Sequence, residues 1–252
     1  APPGTPQRCP RVVARRWLLE NARRGGVAGL VHGEKCAAPG SAGSRDTIHY
    51  GVVANLATLI WTSTLAALEV PTHLWRVQHK RGKPATQAPP DLVVFDLDPG
   101  PPATIVECCE VALLLRKVMA EDGHEPVAKT SGSKGVHVYA RAAGFGSSEE
   151  TSAYAKSLAQ RLEKSHPDLV VSRMAKDLRP RKVLVDWSQN NAAKTTVSVY
   201  SLRARSRPTV STPITWDEVE ACRPAQDLVF TTDDALARVA ELGDLFAPLL
   251  GL

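Results

Sequence analysis

Two aspartates, Asp96 and Asp98, stand at the end of a short apolar run in the sequence. The run Leu92 to Phe95 predicts a buried strand, and the prolines and glycine at 99–102 predict its end. Because side chains alternate across a strand, residues two apart point to the same side. Two carboxylates placed together repel each other, and a divalent cation that prefers oxygen ligands, Mg²⁺ or Mn²⁺, would relieve the repulsion. The alternative is that both residues cap a helix or occupy a turn.

A third aspartate, Asp186, follows a second apolar run, Val183 to Val185. It is therefore another carboxylate predicted at the end of a buried strand. Three such carboxylates can share two metal ions, an arrangement that stabilises the attacking and leaving oxygens in phosphoryl transfer. The charge of a triphosphate also needs basic partners. Basic residues flank this strand in the sequence at Lys176, Arg179, Arg181, Lys182, Arg203 and Arg205.

A segment rich in glycine and serine, Thr-Ser-Gly-Ser-Lys-Gly-Val-His, ends at His137. Its glycines, Gly132 and Gly135, allow backbone N–H groups to approach a phosphate, while Ser131 and Lys134 can donate hydrogen bonds. His137 is predicted on the strand that follows, on the face opposite its valine neighbours. The spacing is not that of a Walker A loop. A flexible hairpin with a solvent-facing lysine is the alternative explanation.

The charge of the chain permits a polyanionic partner. Its 252 residues carry a formal net charge of +5, and 43% of them are hydrophobic, which is enough for a large core. A single basic cluster is usually a solvated surface, but several clusters beside a metal-type carboxylate pair make nucleic acid the predicted partner. The basic clusters lie at 8–24, 79–83, 176–182 and 203–207.

The cysteines indicate a reducing environment. There are 5 of them, an odd number without a C-x-x-C pair, so the pattern favours reduced thiols over a disulfide framework or a zinc site. No apolar stretch has the length of a membrane span, and no signal peptide is visible. The sequence thus predicts a cytoplasmic protein without a membrane partner. Because the chain begins Ala-Pro-Pro-Gly without a Met, we expect it to be a fragment of a longer protein.

The rest of the pattern predicts one domain, 1–252, of mixed α/β structure, because neither a repeat nor a convincing linker is present. Predicted helices lie at 11–24, 48–68 (one or two helices), 104–122, 147–164, 216–219 and 233–242. Predicted strands lie at 27–31, 74–77, 92–95, 127–130, 136–140, 169–172, 183–187 and 196–202. Loops are predicted at 37–44 and 79–83.

Several motifs, in this order, resemble the polymerase domain of bacterial ligase D, which belongs to the archaeo-eukaryotic primase superfamily and serves non-homologous end joining. They are Asp-Leu-Asp-Pro at 96–99, Thr-Ser-Gly-Ser-Lys-Gly-Val-His at 130–137, Val-Asp-Trp-Ser-Gln-Asn at 185–190, and Tyr-Ser-Leu-Arg-Ala-Arg at 200–205 with Val-Ser-Thr-Pro-Ile-Thr-Trp at 210–216. The similarity runs from Arg45 to Leu252. It implies a primase-type catalytic core, in which helices surround central, largely antiparallel strands.

The resemblance implies a template-dependent nucleotidyltransferase, a DNA-directed polymerase or primase that adds nucleotides, preferentially ribonucleotides, to a primer 3′-OH at DNA ends or gaps. Asp96, Asp98 and Asp186 would be catalytic ligands of two Mn²⁺ (or Mg²⁺) ions. The residues that would contact the nucleoside triphosphate (NTP or dNTP) are Ser131, Lys134, Gly135, His137, Arg179, Gln189, Arg203 and His73. The implied partners are gapped or broken duplex DNA with a 5′-phosphate, Ku, and a DNA ligase domain or protein, in the nucleoid of a bacterial cytoplasm.

The chain departs from the family pattern in two places. Such domains carry, upstream, an aromatic pair that stacks on the template and basic residues that recognise a 5′-phosphate. Here only Arg8-Cys-Pro10 matches the end of that region, so we expect the N-terminal part of the domain to be incomplete or, alternatively, the recognition of the DNA end to be altered. The family also places a His shortly after the Leu-Ala-Ala-Leu-Glu stretch, where this chain has Pro71 and, just beyond it, His73.

Two other functions compete with a polymerase. A haloacid-dehalogenase-type phosphatase also has D-x-D after a hydrophobic strand, and Thr130, Lys134 and the acidic pair at 233–234 could serve its chemistry. That function leaves His137 and the motif at 185–190 unexplained, and Pro99-Gly100 does not match its pattern. The other is a non-catalytic DNA-end-binding module of a repair complex, against which the intact carboxylates and the phosphate-type segment argue.

Overall fold

The computed structural model describes residues 12–14, 32–37, 47–53, 56–64, 67–78 and 86–250. Its strands are β1 (Val12–Ala14), β2 (His32–Ala37), β3 (Thr47–Val53), β4 (Pro71–Thr72), β5 (Trp75–Gln78), β6 (Thr86–Pro90), β7 (Leu92–Pro99), β8 (Val127–Thr130), β9 (Val136–Arg141), β10 (Val170–Val171), β11 (Val183–Asp186), β12 (Thr196–Val197), β13 (Leu202–Arg203), β14 (Thr209–Val210) and β15 (Pro213–Ile214). Its helices are α1 (Leu56–Thr64), α2 (Ile105–Glu121), α3 (Ser148–Ser165), α4 (Trp216–Ala221), α5 (Thr232–Leu242) and α6 (Ala247–Leu250), with 3₁₀ turns at Lys176–Leu178, Trp187–Asn190 and Ala225–Leu228.

A 6-stranded sheet forms the centre, with the strand order β10-β11-β7-β9-β8-β15. The pairing of β10 with β11 is parallel, and every other pairing in this sheet is antiparallel. Smaller sheets join β1-β3-β2, β5-β6, β4-β12 and β13-β14. The mixed α/β prediction with largely antiparallel central strands is therefore confirmed.

The two faces of the central sheet are covered differently. On β7, the fully buried side chains of Val93, Phe95 and Leu97 pack in one core with residues of α2 and α3. The residues between them point to the opposite face, because side chains alternate across a strand. On that face Val94 belongs to a smaller apolar cluster with residues of β9 and α6, and Asp96 and Asp98 follow it along the strand. We call this second face the open face.

The ends of α2 and α3 lie where the sequence predicts them. Thr104 and Glu107 form a capping box at the start of α2, and Gly123 with φ +83° follows its last turn. Ser147 caps α3 by accepting a hydrogen bond from the N–H of Glu150. No helix in the described part of the chain is long and apolar enough to cross a membrane.

The prediction of one or two helices at 48–68 is wrong in its first half. The structure has β3 there, paired antiparallel with β2 along its length, and α1 begins only at Leu56. The sequence of β3, Thr-Ile-His-Tyr-Gly-Val-Val, is rich in β-branched and aromatic residues, which suit a pleated strand. The apolar residues at 48–53 therefore do not indicate a helix, because apolar content alone does not distinguish a helix from a strand.

Two further predictions need correction. Residues 12–14 of the helix predicted at 11–24 form β1 instead, which pairs with β3. The strand predicted at 196–202 is interrupted, since β12 and β13 are separated by a segment in which Tyr200 has φ +60°. The other residues of the helix at 11–24, the strand at 27–31, the loop at 79–83 and most of the loop at 37–44 lie outside the described residues.

Candidate active site

Strand register brings residues far apart in sequence together on the open face. Asp96 of β7 lies directly opposite Asp186 of β11 on one side and His137 of β9 on the other. Asp98 lies two residues along β7 and therefore projects from the same face as Asp96. Because β7 continues to Pro99, both aspartates lie within the strand and not just beyond it.

Asp96 and His137 form a buried pair. The Nε2 atom of His137 lies 3.1 Å from Oδ1 of Asp96, and their side chains are 4% and 19% exposed. Burial by itself would raise the pKa of Asp96, but the pKa is lowered overall, because His137 donates a hydrogen bond to the carboxylate and the positive charges of Lys129 and Arg203 lie near it. Asp96 is therefore held as a carboxylate.

The pKa of Asp98 is shifted in the opposite direction from that of Asp96. Its pKa is raised, mainly by burial and then by the negative charge of Asp96, although the positive charges of Lys134 and Arg179 partly offset this; Asp186 raises it further. The negative charges of Asp96 and Asp186 thus add to the effect of burial on the pKa of Asp98. A bound cation would offset those charges.

Asp186 ends β11 and caps the 3₁₀ turn at 187–190. Its Oδ1 accepts hydrogen bonds from the backbone N–H and the hydroxyl of Ser188, at 2.9 and 2.5 Å, and its Oδ2 accepts one from Gln189 at 3.0 Å. Lys194 in turn donates to the hydroxyl of Ser188. The turn is tied to β7, because the Asn190 amide bonds the backbone N–H and C=O of Val94 at 2.9 and 2.7 Å.

These carboxylates are the groups available for a metal ion. Among the described residues, no three His, Cys, Asp or Glu side chains are grouped closely enough to hold an ion as they stand. Asp186 is bound to Ser188 and Gln189 instead. The donor set nevertheless fits a hard divalent cation, since Asp96 and Asp186 occupy paired positions on adjacent strands and both carry carboxylates. Binding would require Asp186 to exchange its present hydrogen bonds.

The segment between β8 and β9 is a turn held together by hydrogen bonds of Ser131. The Ser131 hydroxyl accepts from the backbone N–H groups of Ser133 and Gly135, each at 3.2 Å, and the Ser131 N–H donates to the Gly135 carbonyl at 2.9 Å. Gly132 has φ +66°, and a Cβ there would lie 2.7 Å from the Arg203 side chain. The glycine therefore allows Arg203 to lie against this segment.

Arg203 connects the segment between β8 and β9 to Glu69. Its Nη1 donates to the Ser131 carbonyl at 3.1 Å, and its Nε donates to Glu69 at 3.1 Å. The same Glu69 oxygen accepts from the backbone N–H of Ala204 at 3.0 Å. The pKa of Glu69 is lowered, chiefly by this backbone hydrogen bond. Glu69 thus holds the arginine in place from outside the cleft.

A single cleft of about 240 Å³ gathers most of the predicted residues. Its lining includes Asp96, Asp98, Ser131, His137, Gln189 and Arg203. Lys134 is exposed, with its Nζ 3.5 Å from the Pro99 carbonyl, and Arg179 donates to the Met174 carbonyl at 2.6 Å. Both nevertheless lie close enough to Asp98 to affect its pKa.

His73 is not brought to this cleft. It lines a neighbouring cavity with Trp75 and Tyr139, stacks on Trp75 with ring centroids 4.6 Å apart, and lies with Nδ1 3.0 Å from the Lys194 carbonyl. The two cavities are adjacent, because β4 next to His73 pairs with β12, and Thr196 of β12 lines the main cleft.

Two residues of this region, Glu69 and Lys129, lie outside the motifs recognised in the sequence. Glu69 carries no motif signal of its own, although it ends the Leu-Ala-Ala-Leu-Glu stretch. Lys129 directly precedes the phosphate-type segment and is fully buried on β8. A lysine inside an apolar strand was the available signal, because lysine is almost never fully buried without a partner.

Comparison with known proteins identifies the family. The family model described as "LigD, primase-polymerase domain" matches residues 3–246. The multifunctional non-homologous end joining protein LigD of Mycolicibacterium smegmatis is 44% identical over 203 residues, which are 81% of this chain and 26% of that protein. The corresponding DNA repair protein of Mycobacterium tuberculosis is 41% identical over 204 residues, with the same shares of 81% and 26%. The chain thus spans about a quarter of the length of these relatives.

A solved structure also matches this chain. The polymerase domain from Mycobacterium tuberculosis Ligase D in complex with DNA superposes with a TM-score of 0.79 and 38% identity, covering 87% of this chain and 74% of that one. The predicted family, primase-type fold and nucleotidyltransferase class are confirmed, and the comparisons do not support the phosphatase or the non-catalytic module. Membership implies use of a divalent metal and a nucleoside triphosphate. The chain belongs to the LigD primase-polymerase domain family, whose members include the end-joining proteins of mycobacteria.

Proposed function

We propose that the open-face cleft is the active site of a template-dependent polymerase, which adds nucleotides, preferentially ribonucleotides, to a primer 3′-OH at broken or gapped DNA. The observation that carries this proposal is the lining of the cleft. Asp96 and Asp98, whose carboxylates suit metal ions, and Arg203, whose guanidinium suits phosphate, line the same space. We further propose that residues 1–252 act as one domain.

Asp96, Asp98 and Asp186 would hold two Mn²⁺ (or Mg²⁺) ions. When bound, two such ions lower the pKa of an attacking hydroxyl and neutralise the charge of a leaving pyrophosphate. The remaining work belongs to the protein. The His137–Asp96 hydrogen bond fixes one carboxylate, and the 3₁₀ turn fixes Asp186 against β7. Much of the barrier reduction would come from this positioning.

The triphosphate would lie along the segment closed by Ser131. Lys134, Arg179 and Arg203 would supply positive charge, Gln189 would donate a hydrogen bond, and His137 would lie next to the phosphates beside Asp96. Ser131 and Gly135 shape the turn over which the phosphates would lie. His73 would contact the nucleotide only from the neighbouring cavity. These assignments rest on the resemblance of the motifs to the family, and the chemistry of the side chains supports them.

The proposed partners follow from the same family. The chain would bind gapped or broken duplex DNA with a 5′-phosphate, and would work with Ku and a DNA ligase domain or protein in the nucleoid of a bacterial cytoplasm. The solved relative is in complex with DNA, which supports a DNA partner.

The decisive experiment is extension of a labelled primer on a gapped duplex. It compares ribonucleotides with deoxynucleotides in Mn²⁺, on gaps with and without a 5′-phosphate, with Asp96→Ala as the inactive control. We expect template-matched addition that is greater with ribonucleotides and with the 5′-phosphate. Binding of the duplex without any addition would instead indicate a non-catalytic module, and a covalent aspartyl phosphate formed in Mg²⁺ would indicate the phosphatase.

Binding of DNA should weaken steeply with salt. If exposed basic residues such as Arg205 contact phosphates, the logarithm of the affinity falls linearly with the logarithm of the salt concentration. Each phosphate neutralised adds about 0.9 to the steepness of that slope. Arg205→Gln should reduce that slope by about 1. Fluorescence anisotropy over a salt series measures it. Arg161→Gln is the matched control, because Arg161 lies on α3 and pairs with Glu121 at 3.1 Å. An affinity that is flat across the series would contradict the assignment.

A further inference from the structure

Lys129 is a fully buried lysine beside the cleft. Its Nζ lies 2.6 Å from the Ser211 hydroxyl and 3.2 Å from Nδ1 of His137, and it stands 5.6 Å from the centre of the Tyr139 ring. An ammonium group removed from water costs several kcal/mol unless its N–H groups find partners. Lys129 takes no part in the mechanism described above, so its burial requires another explanation.

Strand register produces the contact between Lys129 and His137. The two residues lie directly opposite each other in the antiparallel pair of β8 and β9, so their side chains project from the same face. His137 lies in turn opposite Asp96 on β7. The side chains of three neighbouring strands therefore form a row across the open face, from Lys129 through His137 to Asp96.

The directions of the hydrogen bonds in this row follow from the chemistry of each group. The Ser211 hydroxyl donates to the Thr130 carbonyl at 2.8 Å, so its oxygen accepts from Lys129. A carboxylate can only accept, so the 3.1 Å contact with Asp96 requires the proton of His137 on Nε2. A neutral imidazole carries one N–H, which leaves Nδ1 as an acceptor, and Lys129 is the donor beside it.

We propose that Lys129, anchored by Ser211, is a positioning residue that holds His137 as its Nε2–H tautomer with that N–H directed at Asp96. This inference deepens the proposed function and rests on it for the kinetic consequence. Without a donor at Nδ1, the Asp96 contact alone holds the ring, which can then turn away from the carboxylate and carry its proton on either nitrogen. An imidazole with an unprotonated Nε2 would repel both the carboxylate and a phosphate oxygen.

The test is Lys129→Met, which keeps the length of the side chain and removes its donors. Ring ¹⁵N chemical shifts of His137 in the metal-free 252-residue protein report the tautomer, and the His137 signal is the one that disappears in His137→Asn. In the wild type we expect the proton on Nε2. In Lys129→Met we expect a mixture of tautomers, and a kcat/KM for the templated ribonucleotide lowered roughly 10- to 100-fold.

Two more variants make the result decisive. Ser211→Ala keeps Lys129 but removes the hydroxyl that accepts its hydrogen bond. This variant should lower kcat/KM by roughly two- to tenfold. It decides the question if Lys129→Met fails to fold. Thr151→Val is the matched control, since it removes a buried hydroxyl that donates to the Ser148 carbonyl on α3, behind the sheet. It should change neither the His137 ring shifts nor kcat/KM.

A wild-type proton on Nδ1 would overturn the proposal. So would a folded Lys129→Met whose His137 shifts, or whose kcat/KM, match those of the wild type within about twofold, well below the expected loss. If the wild type adds no nucleotide at all, the proposed function fails, while the tautomer measurement still supports or overturns the role of Lys129. The two failures are therefore distinguishable.

Discussion

Replacing Asp98 by asparagine will abolish nucleotide addition and leave the fold intact. Asparagine has nearly the same shape as aspartate but lacks the negative charge that a metal ligand needs here. We expect the rate of primer extension in Mn²⁺ to fall by at least about a thousandfold, the upper range seen when a preorganised electrostatic contact is lost. Single-turnover extension on the gapped duplex measures this loss.

The same variant should not destabilise the metal-free protein. Burial and the nearby charge of Asp96 raise the pKa of Asp98 above its value in the unfolded chain. An acid with a raised pKa costs stability once the pH rises through that pKa, and protonation at lower pH recovers it. Asp98→Asn removes this cost, so the variant should unfold at the same temperature as the wild type at neutral pH, or higher.

Stabilisation of the folded protein by Mn²⁺ gives a second test of the role of Asp98 as a metal ligand. Mn²⁺ at a hundred times its dissociation constant should stabilise the folded wild type by about 2.7 kcal/mol. Asp98→Asn should lose most of this stabilisation in thermal unfolding. Asp122→Asn is the control, because Asp122 directly follows α2 and accepts from the Tyr154 hydroxyl at 3.1 Å, behind the sheet. Extension by Asp98→Asn at the wild-type rate, or an unchanged Mn²⁺ effect, would refute the metal assignment.

Asp96 provides a contrast within the same site. Its pKa is lowered, net of burial, by His137, Lys129 and Arg203. A carboxylate with a lowered pKa stabilises the fold above the pKa of the unfolded chain, and this stability is lost as pH falls through the folded-state pKa. Asp96→Asn should therefore lose activity as Asp98→Asn does, but should also destabilise the metal-free protein at neutral pH.

Gly135→Ala should disrupt the fold around the phosphate-type segment. A Cβ at this position would lie 2.1 Å from the backbone carbonyl oxygen of Leu97, on the strand between Asp96 and Asp98. A backbone atom cannot move aside as the end of a flexible side chain can, so β7 and the segment must separate. We expect the free energy of unfolding to fall by about 3 kcal/mol, the upper end of overpacking costs, and primer extension to be lost with it.

Urea denaturation measures this loss as a lower midpoint with an unchanged slope. Gly146→Ala is the matched control, because the nearest atom to a Cβ there is a side-chain oxygen of Glu150 at 3.5 Å. Its free energy of unfolding should stay within about 0.5 kcal/mol of the wild type. A Gly135→Ala protein as stable as this control would show that the segment is not packed against β7 as described.

Local sequence was sufficient for much of this structure. The capping residue Thr104 and the terminal Gly123 define α2, because helix ends depend on neighbouring residues. Alternation along β7 placed Asp96 and Asp98 on one side of the strand for the same local reason. The order of the motifs was enough to identify the family, which the comparisons confirm.

Tertiary structure decided what depends on pairing between distant segments. The apolar residues at 48–53 carry no local sign of their partner β2, and the ladder with it makes them a strand. The position of Asp186 opposite Asp96, and of Lys129 opposite His137, follows from strand register, which neither strand encodes alone. Glu69 reaches Arg203 across 134 residues of sequence. Sequence therefore determined which residues could do the chemistry, and the register of the sheet determined which of them meet.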